Sequence, residues 1–430
     1  MEKMKETEPQ IPQGTTEKKR GFGRATALIA LCWIVYTCSY IGKLGYSANI
    51  AQIETLYGIL HAEAGMVSTF FFFAYGAGQI FNGLFCRKYN LRFVVFGALI
   101  VSTLCNFGVG IAPDFSILKY LWLLNGAALS VLWPSLIRLL GESLDKKDSA
   151  RAVVIMGTTV ATGTLLIYGL SALFVALGSF KAVFFIAATL MLLVALVWLI
   201  TYPKLVKKSQ TELAEKTKQT EPKKTFSHGL LISVCIMALF AVVNNLVKDG
   251  LTTWVPTILI ETYALPDSVS ILLTLLLPML AIFGTMVATT LHKKIENFVA
   301  LCAVLFLAAA ALIGFVIALL STGVFVVTIV SFSLVSCLMA GVNNVITSMA
   351  PLFWKEKINS GLLAGILNGF CYVGSTISSY GLGSVADGLG WNGVFWLLFI
   401  LCLAVVAIGF VYVVATKSIG RKKKKNNERT

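Results

Sequence analysis

Charge is scarce in this 430-residue chain: Asp, Glu, Lys and Arg make up only 13% of it, against 57% apolar residues. Water-soluble domains need a larger charged surface, so a chain of two or three such domains is excluded. Histidine is nearly missing, with His61, His228 and His292 far apart in sequence. That leaves no basis for histidine-centred catalysis or for a histidine–cysteine metal cluster. The nine cysteines, among them Cys32, Cys38, Cys86, Cys105, Cys235 and Cys371, lack CxxC spacing and fall almost wholly in apolar runs. They read as small packing residues, not as disulfides or metal ligands. Neither a phosphate-cradling Walker pattern nor a nucleophile elbow occurs, which argues against an enzyme and against an ATP-driven pump. No cofactor and no bound metal are expected.

What the chain has in abundance is long apolar sequence, and its mean hydropathy is +0.83. Twelve apolar runs recur, at roughly 25–53, 63–86, 92–112, 115–141, 150–177, 180–201, 228–260, 267–291, 296–319, 322–350, 358–385 and 392–415. Each is long enough to cross a hydrocarbon layer about 30 Å thick as a helix. The expected fold class is therefore an all-α integral membrane protein of twelve transmembrane helices. The first run is too long for a cleaved signal peptide, so it is expected to stay in the mature protein.

The net charge of +15 is distributed unevenly. Lysine and arginine concentrate in the N-terminal segment, the even-numbered loops and the C-terminal tail. Only Lys119 and Lys181 fall on the other side, at the ends of their runs, and Lys43, Arg138 and Lys248 fall deeper within apolar runs. This asymmetry places both termini in the cytoplasm of a multi-pass plasma (inner) membrane protein. The tail Arg421-Lys422-Lys423-Lys424-Lys425 then faces solvent or lipid headgroups, not nucleic acid.

Residues 202–227, rich in Lys, Glu, Thr and Pro, form the one long polar interior stretch. They divide the chain into an N-terminal tail (1–24), a six-helix half (25–201), a cytoplasmic linker (202–227), a second six-helix half (228–415) and a basic tail (416–430). The offset that carries Lys43 onto Lys248 also carries Arg87 onto His292, each followed by lysine in a short loop. The halves are thus expected to be an internal repeat. Parallel six-helix repeats place a substrate site at their interface near the bilayer midplane.

An ionisable residue inside a bilayer costs at least about 2.5–3.5 kcal/mol and marks a functional candidate. Lys43 and Lys248 both lie deep in their runs. Helical spacing puts Lys43 on one face with Tyr36, Tyr40 and Ser47, and Lys248 with Asn244, Asn245 and Thr252. Two facing ammonium groups repel in a low dielectric, and a bound anion relieves that repulsion. Asp249 offers two other readings: a structural ion-pair partner, reaching Lys43 more readily than its neighbour Lys248, or the carrier of a coupled proton. Tyr75 and Gln79 add polar groups to the second run. The eleventh carries Gly361, Gly365 and Gly369 on a small-residue face suited to close helix approach. Its polar stripe of Asn368, Tyr372, Ser375 and Ser379 is a candidate cavity lining. Arg138, after Trp133-Pro134, reads as an anchor or a gating ion pair.

These motifs resemble the organophosphate:phosphate antiporters, a major-facilitator group that includes glycerol-3-phosphate and hexose-phosphate exchangers. The similar stretches are Tyr36-Thr37-Cys38-Ser39-Tyr40-Ile41-Gly42-Lys43, Ala74-Tyr75-Gly76, Trp133-Pro134 with Arg138, and Lys248-Asp249-Gly250 with Trp254-Val255-Pro256-Thr257. Ser360-Gly361, Ala364-Gly365, Gly369, Tyr372 and Gly374, and then Gly390-Trp391-Asn392-Gly393, extend the likeness to the last two helices. The resemblance implies the major facilitator fold, two six-helix bundles, and alternating access for a phosphorylated metabolite exchanged against phosphate. It implies that Lys43 and Lys248 stand where two arginines grip phosphate, and that Tyr36, Tyr40 and Tyr75 line the pocket. Thr158 stands near a family histidine of the fifth helix, and Gln79 replaces a lysine. Lysine keeps the charge of the two arginines without their bidentate fork. A monomer binding a small anion is expected. The alternatives are proton-coupled transport of a carboxylate and a transporter-like sensor of a sugar phosphate.

Overall fold

The computed structural model describes residues 23–85, 89–206, 228–320, 323–354, 357–358 and 360–427. The N-terminal segment, the Cys86-Arg87-Lys88 loop, most of the linker and the end of the basic tail lie outside the described residues. The basic pair Arg87-Lys88 of the repeat register lies there too, while its counterpart His292-Lys293 is described. All regular structure among the described residues is helical.

The apolar runs form α1 Arg24–Ala48, α2 His61–Asn82, α3 Leu91–Ile111, α4 Phe115–Ser143, α5 Lys147–Ala176 and α6 Ala182–Leu205. The second half forms α7 Gly229–Tyr263, α8 Asp267–His292, α9 Phe298–Leu319 and α10 Phe325–Phe353. The remaining apolar stretch, Leu362–Thr416, has 55 residues. At 1.5 Å per residue it is more than twice the length a membrane needs. It divides at Gly390, whose φ of 65° and ψ of 179° are open to glycine and costly for other residues. Residues 362–389 are α11 and 391–416 are α12, which makes twelve spans.

Side chains that accept from free backbone N–H groups start several helices. Asn90, Asp114, Asp145 and Asn297 cap α3, α4, α5 and α9 in this way. The Ser116 backbone N–H and hydroxyl hold the exposed Asp114 carboxyl below its ordinary range. A short helix, Ile50–Tyr57, joins α1 to α2 and ends on Gly58 in the left-handed conformation.

Within the first half α1 packs on α5 and α6, α2 on α4, and α3 on α4 and α6. In the second, α7 packs on α10 and α11, and α9 on α10 and α12. Between halves, α2 lies along α11 and the start of α8 lies along α5. The repeat offset carries α2 onto α8 and α5 onto α11, so these two contacts exchange with one another. The fold is two six-helix bundles related by that pseudo-symmetry.

The expected glycine face of α11 is corrected. A Cβ on Gly365 would meet nothing within 4 Å, and one on Gly369 only the end of Ile80, at 3.1 Å. The close approaches are at Gly374, where a Cβ would sit 2.0 Å from the Val242 carbonyl oxygen, and at Gly383, 2.6 Å from that of His61. Spacing alone did not find the closest approaches, because a repeat of small residues does not say which helix faces them: Gly365 faces open space, and Gly369 meets only a side-chain end. Opposite effects are expected from one substitution type. Gly374→Ala forces α11 from α7 and should destabilise by about 1–3 kcal/mol. Gly365→Ala should be neutral or stabilise by up to about 1 kcal/mol. Thermal unfolding of the two purified variants checks the contrast.

Candidate substrate site between the halves

A cavity of about 480 Å³ lies between the bundles, with Tyr40, Lys43, Ser47, Asn245, Lys248, Asp249 and Tyr372 in its wall. Lys43 reaches it because α1 is fixed one residue earlier. Asn106 and Asn125 both donate to the Gly42 carbonyl oxygen, at 3.1 and 3.0 Å, and Ser102 donates to Asn125 Oδ1 at 2.6 Å. A Cβ on Gly42 would lie 2.2 Å from Met191 Sδ, so a larger residue there would have to displace that buried side chain. This buried amide network sets the height and rotation of the lysine.

The Lys43 ammonium sits among four aromatic rings. Its Nζ is 4.7 Å from the Tyr75 ring centroid, 5.2 Å from Tyr40, 5.4 Å from Phe72 and 5.5 Å from Phe71. Ring faces carry negative potential, so the cage holds the cation without neutralising it. No described carboxylate oxygen lies within ion-pair distance of Lys43.

Lys248 is arranged differently. Its Nζ lies 3.5 Å from Asp249 Oδ1. This corrects the expectation that neighbouring helix positions make that contact awkward and favour a reach to Lys43. The side chains leave the helix about 100° apart, but the four-carbon lysine stem curls back across that angle. The second aspartate oxygen, Oδ2, accepts from Ser375 Oγ and, at 3.3 Å, from Asn245 Nδ2. Asn245 also donates to Ser375 Oγ at 3.1 Å. The pair is thus tied to α11 as well as to its own helix.

Of the remaining candidates, Tyr75 and Tyr372 meet across the halves with ring centroids 5.0 Å apart. Tyr36 stays behind the cavity wall, packed on Trp133 and Tyr40. Thr158 accepts from Trp33 Nε1 at 2.9 Å, and Asn368 stands outside the cavity lining. Arg138 pairs with Glu142 at 2.7 Å within its own half. Sequence reasoning passed over Phe71 and Phe72, which complete the cage, and Asn343, Asn344, Thr347 and Ser348 of α10. These last four stand at a π-helical turn, Val345–Met349, a distortion frequent at functional sites. Their signal was the Asn343-Asn344 pair inside an apolar run.

Hydrogen bonds crossing between the halves gather at the end away from the termini. Gln52 donates to Asp267, the His61 and Ala62 backbone to Asp387, Thr69 to the Thr376 carbonyl, and Tyr168 to the Thr252 carbonyl. A polar cavity at the centre of two such bundles, bound together at one end, is the arrangement of a membrane transporter. The profile of the Major Facilitator Superfamily matches residues 32–360, and the chain belongs to that family.

Among curated proteins the chain is similar to the probable hexose phosphate transport protein of Chlamydia pneumoniae. The two are 20% identical, over 93% of each chain. Among solved structures it is similar to a bacterial homologue of the human lysosomal transporter Spinster, inward-facing and occupied. The TM-score is 0.72 at 14% identity, over 90% of this chain and 96% of that one. A mutant of the nucleoside transporter NupG gives a TM-score of 0.68 at 14% identity, over 90% and 99%.

Proposed function

We propose that this transporter moves a small phosphorylated metabolite, such as a sugar phosphate, in exchange for phosphate. The observation that carries the reading is Lys43, a cation without a carboxylate partner among the described residues, facing the central cavity. The substrate's anionic group binds between Lys43 and Lys248. The hydroxyl and amide groups of Asn343, Asn344, Thr347 and Thr285 are on hand for a polyhydroxylated remainder. A volume near 480 Å³ lies in the usual range for a small-molecule site. The Chlamydia relative supports the same substrate class.

In this proposal the halves 25–201 and 228–415 rock about the site. The charge asymmetry makes the face bearing the termini cytoplasmic and the sealed end external. A single chain holds the whole site, which suits a monomer. Liposomes containing the purified protein and loaded with phosphate test the reading. Uptake of labelled phosphate and glucose 6-phosphate that requires internal phosphate is expected. Uptake confined to carboxylates, and driven by a proton gradient, would replace it with proton-coupled transport.

A further inference from the structure

The sealed end contains a charged cluster that the substrate site does not use. His61, the first residue of α2, stands between two carboxylates from different elements. Its Nδ1 is 3.0 Å from Glu54 Oε1, on the short helix of the same half. Its Nε2 is 3.3 Å from Glu261 Oε2, near the end of α7 in the other half. A neutral imidazole has one N–H and one lone pair, so one nitrogen would face a carboxylate oxygen with its lone pair. Only the imidazolium donates at both ends. With both nitrogens so engaged, neither has a lone pair left for a metal ion.

The surroundings strengthen this arrangement. Trp254 and Trp391 pack on the imidazole with ring centroids 5.7 and 5.1 Å away and cover part of its surface, while Glu261 keeps contact with water. Trp391 Nε1 donates to Glu261 Oε2 at 2.8 Å, which holds that carboxylate in place. Asp387 of α11 accepts from the His61 and Ala62 backbone N–H groups, at 3.0 and 2.8 Å. Glu63 accepts from the Leu60 N–H, and Asp267 from Gln52, so neither contacts the ring. Burial pushes the Glu54 carboxyl up from its ordinary value, against the hydrogen bond and charge of His61.

We propose that His61 is a proton-binding site that latches the outer gate, bound to Glu54 and Glu261 when the gate is shut and separated from Glu261 when it opens. The latch rests on alternating access and not on any choice of substrate. Its sign follows from linkage: the shut state holds the proton more tightly than the open state. Closure is fully supported where the imidazole is charged and both carboxylates are ionised, and raising the outer pH withdraws the proton and favours opening. One proton allows up to about a tenfold change in the open-to-shut ratio per pH unit.

The test is a spin-label distance measurement on the full-length protein in liposomes without substrate. Labels at Ser179, between α5 and α6, and Val324, between α9 and α10, in a cysteine-free background, report the opening of the outer face. In the parent protein the long-distance population should grow severalfold between pH 6 and pH 8. In His61→Gln and in Glu261→Gln it should be already raised at pH 6 and independent of pH. Glu261→Gln keeps the imidazole in place, so it stands as the second variant if His61→Gln folds poorly. An unchanged pH response in either variant, or no response in the parent, overturns the proposal. Because no substrate is present, these outcomes are independent of what the protein carries.

Discussion

Lys43→Met is expected to lower exchange of the substrate by about thirtyfold to a few thousandfold, with the folded protein intact. Methionine fills nearly the same space, so the rings of Tyr40, Phe71, Phe72 and Tyr75 keep an apolar partner and only the charge is lost. Removing one partner of a desolvated charge pair costs about 2–5 kcal/mol, and about 1.4 kcal/mol is a factor of ten. Lys43→Arg should retain more activity than Lys43→Met, because guanidinium restores the cation and stacks on aromatic faces. The measurement is the initial rate of phosphate self-exchange in liposomes, beside the apparent melting temperature in detergent. Wild-type rates in Lys43→Met would remove the anion clamp from the proposed function, while leaving the fold and the outer latch unaffected.

The fold was legible because membrane burial writes itself into composition. An apolar run of about 20 residues has few alternatives, and the two buried lysines mark themselves by their cost. The repeat was visible through the same residues, since the offset from Lys43 to Lys248 also relates α2 to α8 and α5 to α11. The details that failed depend on partners distant in sequence. Phe71 and Phe72 look like any lipid-facing aromatic until α2 lays them against Lys43. Gly365 and Gly374 lie about 180° apart around α11, and only the helix packed on each face shows which of them needs to be glycine. Where Tyr36 and Thr158 sit also depends on such partners, Trp133 packing on the first and Trp33 donating to the second. The outer cluster joins Glu54, His61, Glu261 and Asp387 across the whole chain, and no local pattern links them.

A second large effect, on stability and transport together, is expected at the second lysine. Lys248→Ala leaves Asp249 inside the cavity wall with only the neutral donors Ser375 and Asn245. Breaking a buried pair costs about 3–5 kcal/mol, but these side chains keep 27% and 18% of their exposure, so water offsets part of that. A loss of about 1–3 kcal/mol is the outcome consistent with partial burial. Asp249→Asn should cost less, since its amide oxygen still accepts from Ser375 while Lys248 turns toward the cavity. The double variant Lys248→Ala/Asp249→Asn then recovers much of the stability lost in Lys248→Ala, with a coupling of about 0.5–3 kcal/mol. Transport separates the two residues further. Lys248→Ala and the double variant should both lose exchange at least tenfold, because each lacks the second cation. Asp249→Asn should retain it, because the carboxylate holds Lys248 and does not carry the cargo. Collapse of exchange in Asp249→Asn, with its stability unchanged, would assign that carboxylate a coupled proton and favour symport over exchange.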